Sequence, residues 1–174
     1  LFNTLPYYPD DASIKFDYGY QIQAVMAIAP VDGQYEPGDT RTALENVSYF
    51  VIQGSQDADL RSFMGSQQYE RVAFTDSAYH FKSALYVYGA NHGQFNTTWR
   101  DNDASFQWTG YLHLEQLMPE KEQQEIAKVF TSAFLDVNLR DKHEYLPLFL
   151  DTRTGRDWLP ETVYLSQFED ATFE

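Results

Sequence analysis

A chain of 174 residues has the length of one ordinary domain, and with 43% hydrophobic and 17% aromatic residues it can bury a core, which excludes a disordered or low-complexity protein. Twelve Lys and Arg stand against 26 Asp and Glu, a formal charge of -14, and no basic run follows a phosphate backbone, so a nucleic-acid partner is excluded. No apolar stretch reaches the roughly 18 to 20 residues of a membrane-spanning helix, and the absence of cysteine removes disulfides and thiolate chemistry while leaving the compartment open.

The opening stretch, residues 1–20, carries Pro6, Pro9, Asp10, Asp11 and Gly19 and is predicted to be a loop. Residues 22–29, IQAVMAIA, are nearly all apolar and precede Pro30, the pattern of a strand buried on both faces between helices. A second strand is predicted over residues 49–53 and runs straight into Gly54-Ser55-Gln56-Asp57. The third, over residues 84–88, runs into Gly89-Ala90-Asn91-His92-Gly93, so two strands end in a glycine-marked turn that carries an ionisable residue. Between them a weakly periodic helix is predicted over residues 63–71, interrupted by Gly65. A much clearer helix spans residues 120–139, with Pro119 in its first turn and Ile126, Val129, Phe130, Ala133, Phe134 and Val137 on one face. Residues 145–150 form a short apolar segment, and residues 151–174 turn polar and aromatic, as a tail or the start of a further domain. No internal repeat or heptad pattern occurs.

Open α/β sheets bind ligands just outside the carboxyl ends of their strands, where rigid strands hold converging loops. Asp57 and His92 both occupy such positions. The pair suits nucleophilic hydrolysis: the histidine takes a proton from a hydroxyl, and the carboxylate sets its tautomer and stabilises its cation. Asp59 is a second candidate for the acid, because it lies two residues on and points to the same side if the strand continues. The nucleophile itself is missing. No Gly-x-Ser-x-Gly occurs; Gly54-Ser55 comes immediately before the acid position, and Gly65-Ser66 lacks the following glycine.

The segments AVMAIAPVDGQY, YFVIQGSQDADL and YVYGANHGQFN resemble, in that order, the last three strands of bacterial α/β-hydrolases of the dienelactone-hydrolase and acetylhydrolase-like kind. The resemblance covers residues 22–149. It implies the α/β class and the C-terminal half of an α/β-hydrolase fold over residues 1–150, with three parallel strands and flanking helices. It also implies Asp57 as triad acid, His92 as general base, a small-molecule ester as substrate, a serine nucleophile and no cofactor. Chain order in that family runs serine, acid, histidine, which places the nucleophile elbow upstream of Leu1. The chain starts on Leu1 and shows no basic-then-apolar signal region, which leads us to expect a fragment. A half-sheet exposes an unpaired edge, so association with the missing half or with itself is expected. The alternative is a non-catalytic, hydrolase-like or carbohydrate-contacting module that uses exposed aromatics as its surface.

Other candidates read more simply as structure. His80, His113 and His143 lack a strand-end setting, and His143-Glu144 has no second histidine at zincin spacing. Asp57-Ala58-Asp59 opens like a calcium loop, but Leu60, Arg61 and Ser62 lack its third oxygen ligand and its glycine, so no metal is expected. Phe95, Trp99, Phe106, Trp108 and Tyr111 lie near His92 in sequence, as core filling or as the lining of an acyl pocket.

Overall fold

The computed structural model describes residues 19–33, 36, 39, 41, 43–60, 63–100, 103 and 116–172. Along them run β1 (Ala24–Ile28), β2 (Leu44–Glu45), β3 (Ser48–Gly54), α1 (Ser66–Glu70), β4 (Val72–Ala73), β5 (Phe81–Val87), α2 (Glu120–Arg140), α3 (Leu146–Leu150) and β6 (Tyr164–Asp170). The three apolar runs pair side by side as parallel strands, with Ala27 opposite Val51 and Val51 opposite Ala84. The sheet order is β1-β3-β5-β6, and β6 closes it antiparallel to β5, while β2 and β4 form a separate two-stranded parallel ribbon. The chain is therefore mixed α/β with a mostly parallel central sheet.

Period-two alternation on β3 decides what covers each face. Phe50 and Ile52 pack with Ile126, Phe130 and Phe134 of α2 and with Leu148 and Phe149 of α3. The intervening Tyr49 and Val51 pack on the other side with Leu44, Tyr69 and Val72. Phe50 is the hub of the first cluster: its ring stacks 5.7 Å from Phe130 and meets Phe149 edge-on at 5.4 Å. All seven residues of β3 are buried, as a strand flanked on both edges and both faces must be.

Several expectations are corrected. The run at residues 22–29 forms β1, but its residues are only half-buried and Ile28 is 44% exposed, because β3 is the sole neighbour of β1 among the described residues. The helix expected over residues 63–71 shrinks to the five residues of α1: Gly65 stands at its N-cap, and Phe63 adopts a left-handed backbone. Pro119 lies just outside the first turn of α2, its backbone extended and its carbonyl accepting from the N–H groups of Glu122 and Gln123. The polar-aromatic residues at 164–170 form β6 and complete the same sheet, with Tyr164 and Phe168 packed on the α2–α3 core. The loop expected over residues 1–20 lies outside the described residues through position 18. None of the described helices is long and apolar enough to cross a membrane.

Candidate functional site

The acid loop leaves β3 and the histidine loop leaves β5, so parallel pairing brings the two turns together at one end of the sheet. They are laced by two backbone bonds and the Ser55 hydroxyl. Ser55 N–H donates to Val87 O at 3.0 Å, Gln56 N–H donates to Ala90 O at 2.8 Å, and Gly89 N–H donates to Ser55 Oγ at 2.8 Å. So close an approach needs glycine at position 54, where a Cβ would lie 2.2 Å from the Ala90 carbonyl oxygen. Gly89 meets a different demand: its φ of +82° turns the chain out of β5 in a conformation that L side chains resist.

The lacing puts Asp57 and His92 in contact. His92 Nδ1–H donates to Asp57 Oδ2 at 3.0 Å. The other oxygen, Asp57 Oδ1, accepts from the N–H groups of Asp59 and Leu60 at 3.0 and 2.9 Å, which holds the carboxylate in one orientation. Asp57 is nearly buried, its side chain 7% exposed, while the imidazole keeps 17% of its surface open. Asp59 lies on the opposite side of the ring, its Oδ2 4.0 Å from Nε2, because β3 ends at Gly54 and the strand alternation does not persist to residue 59. The ring of Trp99 stacks on His92 at 5.7 Å with an interplanar angle of 15°, and half of Trp99 is exposed.

The hydrogen bond donated to Asp57 raises the His92 pKa above its usual value; burial opposes it, and the charges of Asp57, Asp59 and Asp103 reinforce it. The neutral ring thus carries its proton on Nδ1 and presents the lone pair of Nε2 outward, the arrangement of a general base. No family model matches this chain, and no curated protein matches it.

Three further side chains shape the site, and sequence reasoning missed all of them. Asp103 accepts from both loops. Gln123, fully buried in the first turn of α2, accepts from Asn91 N–H at 3.0 Å and donates to Asn91 O at 2.7 Å. Asn91 in turn donates to Arg100 O and accepts from Gln94 N–H. Gln123 left a readable trace, since it continues the buried stripe of Ile126, Phe130 and Val137 one turn back and is polar at an apolar position. Asp103 left none.

The other histidines are held elsewhere. His80 sits 3.2 Å from Asp76 Oδ1 and stacks on Phe74, and His143 lies 2.9 Å from Asp141 Oδ1. His113, Phe106, Trp108 and Tyr111 lie outside the described residues. Phe95 packs half-buried against the main core.

Proposed function

We propose that this chain supplies the acid and base of a serine hydrolase acting on a carboxylic ester, with Asp57 as triad acid and His92 as general base, in a half of an α/β-hydrolase fold. The observation that carries the reading is the 3.0 Å bond from His92 Nδ1 to Asp57 Oδ2 at the ends of two adjacent parallel strands. In the proposed reaction His92 Nε2 takes the proton of a serine hydroxyl as it attacks the ester carbonyl, then delivers it to the departing alkoxide. Asp57 holds the tautomer and stabilises the imidazolium. No step calls for a cofactor.

The nucleophile comes from a strand-turn-helix segment pairing with β1. Support lies in β1 itself, apolar, half-buried and unpaired along one edge among the described residues. An open groove of about 380 Å³ beside its end, lined by Ile28, Phe95, Ala127 and Thr131, offers a seat for the accompanying helix. A second reading, a binding module, is favoured by the half-exposed Trp99 stacked on His92, a platform for a sugar ring.

The test is fluorophosphonate labelling and ester hydrolysis by the polypeptide or complex in which this chain accompanies a Gly-x-Ser-x-Gly segment. Labelling of that serine is expected, with kcat falling by roughly 10³-fold or more in His92→Gln. Unchanged turnover in His92→Gln, or turnover by this chain alone that a substitution within it abolishes, overturns the proposal.

A further inference from the structure

The two turns of the site are joined by a carboxylate from further along the chain that leaves β5. Asp103 Oδ2 accepts from Ala58 N–H at 3.0 Å and from His92 N–H at 2.9 Å. Its Oδ1 accepts from Gly93 N–H and from Asn91 Nδ2, both at 2.7 Å. One side chain thus takes four donors, one from the residue after the candidate acid and three from the turn bearing the histidine. Charge-assisted bonds of this kind are short and roughly twice as strong as neutral ones, and two oxygens shared between two loops fix a distance as well as an orientation.

We propose that Asp103 is a positioning residue, the clamp that sets the distance between Asp57 and His92 and so keeps the imidazole proton on Nδ1. The inference rests on the triad reading for its purpose but not for its geometry. Three features give it weight. Besides the His92–Asp57 bond itself, the bonds of Ser55 and Gln56 tie only the start of each turn, whereas Asp103 holds Ala58, His92 and Gly93 beside the pair. Burial raises the pKa of Asp103, with the charge of Asp57 adding to the rise, and the N–H groups of His92, Gly93 and Ala58 oppose it by bonding the ionised form. Its charge also acts on the ring, favouring the imidazolium.

An amide cannot replace this carboxylate. Each oxygen of Asp103 faces two donors, so in Asp103→Asn either orientation of the new side chain would aim its own NH₂ group at two donors.

The experiment reads the His92 ring by nitrogen-15 NMR in the chain as it stands, which needs no nucleophile and stays interpretable if the hydrolase reading fails. Asp103→Asn is compared with Asp59→Asn, which removes a charge 4.0 Å from Nε2 without cutting a tether. In Asp59→Asn the titration midpoint is expected to fall while neutral His92 keeps its proton on Nδ1. In Asp103→Asn the midpoint is expected to fall toward about 6.5 and the Nδ1–H population to drop as the bond to Asp57 is lost. A folded Asp103→Asn whose tautomer matches that of Asp59→Asn overturns the proposal. Should Asp103→Asn fail to fold, the wild-type chain decides. Couplings across the hydrogen bonds from the nitrogens of Ala58, His92 and Gly93 to the Asp103 carboxyl carbon support the clamp, and their absence overturns it.

Discussion

Replacing Gly54 with alanine adds a single methyl group and strikes the narrowest point of the site. The new Cβ would sit 2.2 Å from Ala90 O and 2.6 Å from Ala90 C, both backbone atoms that no rotamer change can move. Ala90 must retreat by about 0.8 Å to reach the roughly 3.0 Å at which real Cβ contacts begin, and the segment leading to His92 moves with it. The retreat stretches the 2.8 Å bond from Gln56 N–H to Ala90 O and disturbs the neighbouring Ser55 N–H to Val87 O bond. Overpacking of about 1 to 3 kcal/mol and one or two weakened bonds of about 1 kcal/mol each give a loss of roughly 2 to 5 kcal/mol. Urea denaturation reads this as a fall in midpoint at constant slope. Ser55→Ala, which removes only the hydroxyl that accepts from Gly89, is expected to lose about 1 kcal/mol. If Gly54→Ala unfolds within about 0.5 kcal/mol of wild type, the close lacing of the two loops is wrong.

Two other perturbations test different parts of the same arrangement. Gln123→Leu keeps the volume but strands Asn91 N–H and Asn91 O inside the protein, so a loss of roughly 2 to 5 kcal/mol is expected by urea denaturation, together with faster amide exchange at Asn91; a stability unchanged within about 0.5 kcal/mol would count against the network. The raised pKa of His92 sets the sign of a pH effect: its stabilisation is complete below the unfolded value of about 6.5 and is lost as pH rises through the higher folded value. Wild type is therefore expected to lose stability relative to His92→Gln as pH is raised from about 5.5 to 8.5, and parallel profiles would show that the ring gains nothing from Asp57.

What the sequence makes legible follows the range of the interactions. The strands at residues 49–53 and 84–88 are visible because burial on both faces demands an apolar run and each exit demands glycine; the structure widens the first to Ser48–Gly54, and the second starts earlier and ends one residue sooner, at Phe81–Val87. The same reasoning overstates the burial of β1, since an apolar run records the environment a strand is built for and not the neighbours these residues give it. β6 is hidden because its outer positions, Leu165, Ser166 and Gln167, are exposed and only Tyr164 and Phe168 reach the core, which leaves no clean alternation. Asp57 and His92 stand out through local glycine-marked turns. Asp103 bonds Ala58 across 45 positions and His92 across 11, from a polar stretch with no periodicity, and nothing within reach of a local pattern marks it.

The support around His92 bears on how the proposed enzyme is divided. The histidine turn is gripped by Gln123 from α2, by the acid loop through Ala90, and by Asp103 through three donors. Asp57 is set by two amides of its own turn. Each of these bonds lies within the described residues, and none reaches across the open edge of β1. Pre-organised donors and acceptors act without reorganising at the moment of reaction, so under the proposed hydrolase reading Asp57 and His92 are set before a nucleophile is seated, and pairing along β1 would have only to deliver the serine to Nε2. Trp99 covers one face of the ring and Asp59 lies 4.0 Å from Nε2, so in the proposed enzyme the serine would reach Nε2 along the ring edge beside Asp59.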